Sequence, residues 1–172
     1  MDAQTRRQAI AHRLEQEKTP VSATALAREF SVSRQIIVGD IALLRAGGLD
    51  VAATPRGYVL PSRPVGELTF TVACSHGEQG MEEELHAVVD QGCTVLDVTV
   101  DHPIYGQITA PLQLSSRYEV GEFLRRVREE GATPLSLLTA GVHLHTISCP
   151  NEAAFVRVKE TLGSLGLLLN EE

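Results

Sequence analysis

Apolar positions in the first sixty residues recur at helical spacing in three segments. From about Thr5 to Glu17, Ala9, Ile10, Arg13 and Leu14 fall at helical spacings, and Thr19-Pro20 then breaks the helix. Ser22 is placed to cap a second, short helix running through Phe30, with Leu26 and Phe30 four apart on one face. Ser31-Val32 reads as a tight turn, and Ser33 caps a third helix to about Ala46. In that helix Ile37, Ile41 and Leu44 form a buried stripe, and Gly47-Gly48 stop it. The pattern then changes to strand: Asp50 to Ala53 and Tyr58 to Leu60 flank the turn Thr54-Pro55-Arg56-Gly57, which predicts a hairpin with Arg56 at its tip.

Beyond this the chain alternates between the two periods. Pro61 to Gly66 reads as a linker, which divides the chain into domains 1–60 and 67–172. Leu68 to Cys74 predicts a strand and Met81 to Val89 a helix. Val95 to Val100 and Tyr105 to Leu114 predict two strands joined by a turn at Asp101-His102-Pro103. Ser116 and Glu119 have the spacing of a capping box ahead of a helix that ends near Glu130-Gly131. Val142 to Ser148 predicts a strand, and Asn151 caps a last helix through Leu162. The order β-α-β-β-α-β followed by a helix predicts an α+β fold, a ferredoxin-like sandwich with helices on one face of an antiparallel sheet.

Composition is that of a globular protein: 172 residues, 43% hydrophobic and 22% charged. No apolar run approaches the ~20 residues that span a bilayer, and no leader pattern opens the chain. Cys74, Cys93 and Cys149 are odd in number and lack CxxC spacing, which argues for a reducing compartment; a cytoplasmic protein is expected. The net charge of -7 is unevenly spread. Residues 1–60 hold eight Lys or Arg against six Asp or Glu, and residues 61–172 hold seven against sixteen. An acidic C-terminal half beside a slightly basic N-terminal one fits an effector domain joined to a DNA-contacting one.

Two short helices joined by a tight turn form a helix-turn-helix, whose second helix enters the major groove. Ser33, Arg34, Gln35 and Ile36 at the start of that helix, Arg45 in its last turn and Arg56 on the wing are the expected DNA contacts. Arg and Gln pair with purine edges, an apolar side chain touches a thymine methyl, and a wing Arg suits a phosphate or a narrow minor groove. A trihelical packing module that touches no DNA is the alternative.

Histidines carry the chemistry of the second domain. His143 and His145 lie two apart on a predicted strand, so both side chains leave the same face. His76 ends the first strand of that domain and Glu84 lies on the helix after it. Three imidazoles and a carboxylate supply four ligands of the kind divalent zinc or nickel takes. The same residues also fit blander roles, a polar strand surface for His143 and His145 and a solvated first helical turn for Glu82-Glu83-Glu84. Cys74 and Cys149 share strand faces with the histidines and could replace a ligand, although both read as small core residues. His86, His102 and Tyr105 are candidates for an effector pocket, with a plain turn role for His102 as the alternative. A metal-dependent hydrolase acting on a pyridine compound, with Glu82 or Glu83 as base, is the rival from another class.

The stretch "VSATALAREFSVSRQIIVGDIALLRAGG" with "ATPRGYVL" resembles the winged helix-turn-helix of bacterial regulators. "VACSH", "ELHAVVDQG", "VLDVTVDHPIYGQI", "LSSRYEVGEFL" and "PLSLLTAGVHLHTI" resemble the three-histidine (3H) domain. Together they resemble the NiaR family of niacin-responsive repressors over nearly the whole chain. The resemblance implies a repressor of NAD biosynthesis or niacin transport genes with nicotinic acid, or a related pyridine, as co-repressor. It places the family's metal site on His76, Glu84, His143 and His145. A homodimer bound to operator DNA is expected.

Overall fold

The computed structural model describes residues 1–61 and 66–169. The chain divides into two compact units, Met1–Arg63 and Pro64–Glu172. The linker expected over 61–66 falls mostly on residues 62–65, which lie outside the described residues.

In the first unit, helices α1 (Ala3–Gln16), α2 (Ala23–Glu29) and α3 (Arg34–Ala46) precede the hairpin β1 (Ala52–Thr54) and β2 (Gly57–Val59). Each helix opens on the cap its sequence offers: Asp2, Ser22 and Ser33 accept backbone N–H bonds from Thr5, Ala25 and Ile36. Ile10, Leu14, Leu26, Ile37 and Ile41 are the centre of one apolar core, with Leu44 packed against it. Buried Asp40 on α3 meets Arg6 of α1 at 2.6 Å and Arg7 at 3.6 Å. That pair fixes the first helix against the third. Val21 exchanges two backbone hydrogen bonds of 2.8 Å with Tyr58, so the wing is tied to the segment before α2.

In the second unit, β3 (Leu68–Ser75), α4 (Met81–Val89), β4 (Thr94–His102), β5 (Gly106–Leu114), α5 (Arg117–Glu129), β6 (Val142–Cys149) and α6 (Glu152–Ser164) form the expected α+β arrangement. The sheet is antiparallel throughout, in the order β3-β6-β4-β5. This order is a variant of the ferredoxin-like arrangement. The unit's second and fourth strands are central here, where the ferredoxin arrangement proper centres the first and third. One face of the sheet is apolar, with Val72, Val95, Leu114 and Ile147 buried against Leu85, Val88, Val120, Val158 and Leu162 from the helices.

Three features go beyond the sequence reading. A 3-10 segment covers Leu135–Thr139, Leu168 bridges to Cys74 on the outer side of β3, and β4 runs on through His102. The turn therefore falls on Pro103 to Tyr105 rather than on Asp101 to Pro103, and β5 begins at Gly106 rather than Tyr105. The β4–β6 register also shifts between Val95 and Thr99, where three residues of β4 face two of β6.

Gly121 lies inside α5 with open space where a side chain would stand. Gly121→Ala should therefore stabilise the chain by about 0.5–1 kcal/mol, read as a raised melting temperature.

Candidate metal centre

Antiparallel pairing of β3 with β6 sets Cys74 opposite His143 and Val72 opposite His145, with all four side chains on the face that α4 covers. His76 continues β3 at the same end of the sheet, held by its N–H on the Gly141 carbonyl at 3.3 Å. On α4 the stripe facing the sheet is Met81, Glu84, Leu85 and Val88, so the helical period turns Glu84 inward, while Glu82 and Glu83 stay exposed. Glu84 is only 2% exposed, and His143 and His145 only 3% each.

All three imidazoles converge on this carboxylate. His143 Nε2 lies 2.8 Å from Glu84 Oε1, His145 Nε2 3.3 Å from the same oxygen and His76 Nε2 2.8 Å from Oε2. Their other nitrogens are committed. Nδ1 of His76 donates to the Gly77 carbonyl at 2.8 Å, that of His143 to Gly141 at 2.8 Å and that of His145 to Asp97 at 2.6 Å. A carbonyl only accepts, so each Nδ1 carries the proton and each neutral ring points the Nε2 lone pair at the carboxylate. Lone pairs facing lone pairs repel, and the arrangement demands positive charge at its centre. Either the rings carry extra protons or a cation binds there. His76 Nε2, despite its short distance to Glu84, is buried without an aligned hydrogen-bond partner.

The electrostatics carry the same demand. Burial alone would raise the Glu84 carboxyl, but the close approach of His143, His145 and His76, in so far as those rings carry a second proton, outweighs it and holds the group well below the usual carboxylate range. Glu84 in turn raises His76. At His145 burial opposes the charged form, yet Glu84 and the Asp97 carbonyl raise it overall. Donor atoms of Cys74, Glu84 and His143 lie within 4.8 Å of one another, so this buried Cys/Glu/His cluster could hold a metal ion. Backbone carbonyls orienting the distal nitrogens are the usual outer support of metal-binding imidazoles.

Cys74 lies in the apolar core, fully buried, and burial followed by the neighbouring Glu84 carboxylate pushes its thiol far above the ordinary range. Cys149 lies further along the same face, its thiol pushed up to about 12 by burial and by Cys93. His86 is two residues from Glu84 on α4, and residues so spaced do not share a helix face. The structure does not bring it to the cluster. His102 Nδ1 accepts the backbone N–H groups of Ile104 and Tyr105 at 3.1 and 3.2 Å, which is the turn role. The Tyr105 ring leans against it at a 37° tilt, 5.0 Å between centroids, and Tyr105 is 78% exposed. By register this hairpin tip lies at the cluster's end of the sheet, since Leu144 pairs with Thr99 and Val142 with Ser75.

In the first unit Arg34, Gln35 and Ile36 are exposed together on the first turn of α3. Ser33 uses its hydroxyl as the cap of that helix. Arg45 is engaged within its own domain, with Nε on the Val51 carbonyl at 2.8 Å and its guanidinium over the Tyr58 ring. Arg56 is exposed on the wing, its N–H on Thr54 Oγ1 at 3.2 Å. The Arg6–Asp40 pair was not foreseen from sequence; an Asp inside the Ile37–Ile41 stripe was the available signal.

A helix-turn-helix with an exposed recognition helix, joined to a histidine-lined α+β unit, defines a DNA-binding transcription regulator. Residues 6–59 match the HTH domain family and residues 69–171 the 3H domain family. "Transcription repressor NadR" of Bacillus subtilis (strain 168) is 39% identical over 161 residues, 92% of this chain and 89% of that protein. "Probable transcription repressor NiaR" of Thermotoga maritima is 44% identical over 168 residues, 98% of this chain and 95% of that protein. The chain belongs to this family of NadR- and NiaR-type transcription repressors. Among the described residues no helix is long and apolar enough to cross a membrane.

Gly141 holds the cluster's backbone at φ +95°, and a Cβ there would meet the His76 carbonyl oxygen at 2.5 Å. Gly141→Ala should cost about 2 kcal/mol or more, measured by thermal unfolding of the full chain.

Proposed function

We propose that this repressor senses nicotinic acid, or a related pyridine, through one divalent transition metal ion per chain, zinc or nickel, held by His76, Glu84, His143 and His145. The observation that carries the reading is the convergence of three imidazole Nε2 atoms on one buried carboxylate, with every Nδ1 already spent on a backbone carbonyl. Imidazole and carboxylate are the donors zinc and nickel accept. When bound, such an ion supplies a Lewis-acidic position for the carboxylate or ring nitrogen of a pyridine acid. The chain's part is to fix the donors, exclude water around them and keep the carboxylate ionised. The exposed hairpin tip with His102 and Tyr105 is proposed to border the effector's approach, and His86 is left outside it.

On this reading the protein acts in the cytoplasm as a homodimer on operator DNA, repressing genes of NAD biosynthesis or niacin transport. Ligand binding favours the dimer arrangement in which two recognition helices fit half-sites about one DNA turn apart. Arg34, Gln35 and Ile36 meet base edges, while Ser33, Arg45 and Arg56 lie along the backbone contacts or hold the elements that make them.

Calorimetric titration of nicotinic acid into metal-loaded protein should give saturable binding that His145→Ala abolishes; no binding by folded, metal-loaded wild type would point to another effector. Arg34→Ala should weaken binding to promoter DNA of the regulated genes about tenfold, the worth of a bidentate base contact, in a gel-shift or anisotropy titration.

A further inference from the structure

We propose that Cys74 is a further donor to this centre, a thiolate that makes the ligand set three imidazoles, one carboxylate and one sulfur. The inference rests on the metal reading above and adds to its ligand set. Cys74 lies directly across the ladder from His143, on the same sheet face, and is fully buried. Its Sγ, a Glu84 carboxylate oxygen and a His143 ring nitrogen lie within 4.8 Å of one another. Sulfur and nitrogen donors to one zinc ion stand at most about 4.4 Å apart at ordinary bond lengths, so binding an ion would draw these side chains together from their present separation. His76 Nε2, on a side chain only 7% exposed, approaches the same carboxylate with no aligned partner. It marks the place as one where donors outnumber the protons available to them.

Charge gives the reason for sulfur here. Three neutral imidazoles and one carboxylate leave a bound divalent cation with one uncompensated positive charge in a buried site, which is costly. A thiolate cancels it. The step is a proton exchange: the Sγ–H bond breaks, the proton leaves to solvent, and the freed sulfur lone pair forms the bond to the ion. Such a centre favours zinc and other thiophilic ions over a set made only of nitrogen and oxygen.

Cobalt(II) titration of the full-length apo-protein followed by absorption spectroscopy tests this. The wild type should show ligand-field bands together with a sulfur-to-cobalt charge-transfer band in the near ultraviolet. Cys74→Val and Cys74→Ser should both lose the charge-transfer band, keep ligand-field bands and bind cobalt about tenfold more weakly or worse, as loss of even an outer partner does. Cys149→Ala should keep the charge-transfer band. Two substitutions guard against one failing to fold, which circular dichroism checks. Ligand-field bands without a charge-transfer band in the wild type, or a charge-transfer band that survives in both Cys74 variants, overturn the role of Cys74 and leave the metal reading standing. Absence of any cobalt band in the wild type overturns the metal reading, and this proposal with it.

Discussion

A carboxylate buried at 2% exposure among three imidazoles is the interaction on which the second domain depends. An ionised group taken out of water costs several kcal/mol unless opposite charge and hydrogen bonds compensate it. Here it has to arrive between the carboxylate and the rings, as extra protons or a shared cation, and the rings' orientation is fixed elsewhere, by carbonyls of Gly77, Gly141 and Asp97. The architecture around Glu84 is a means of holding those three carbonyls and three rings in one place.

Each device serves that end. The β3–β6 ladder puts His143 and His145 on the covered face, and β3 delivers His76 to the same end. The bulge in β4 turns Asp97 towards β6, where its carbonyl takes the His145 Nδ1 proton and its carboxylate accepts the Thr146 N–H at 3.0 Å. Gly80 leaves the His76 ring its space, since a Cβ at that position would stand 2.8 Å from the ring. A cation held at this centre would be coupled to folding of the end of the sheet that supplies its donors.

Much of this was legible in the sequence because its signals are local. Ser22, Ser33, Ser116 and Asn151 mark helix starts that the structure keeps, since a cap needs only the residues three positions on. The two-residue spacing of His143 and His145 fixed their common face, as strand geometry requires. Glu84 was also within reach, because it alone of the three glutamates falls on the stripe with Met81, Leu85 and Val88. What stayed hidden was non-local. The Arg6–Asp40 pair spans 34 residues, the Asp97 carbonyl reaches His145 across 48, and the bulge that brings it there is a property of two strands in register. The turn at Pro103 to Tyr105 was misplaced by two residues because His102 extends its strand and then accepts the turn's own N–H groups.

Elemental analysis of the protein after exhaustive dialysis, with Glu84→Gln alongside, reads out whether a cation resides among these rings. The amide keeps the shape and removes the charge around which the three rings are arranged. One tightly held divalent metal ion per wild-type chain is expected, and almost none in a folded Glu84→Gln. A wild type that retains no metal, or a variant that retains as much, would contradict this.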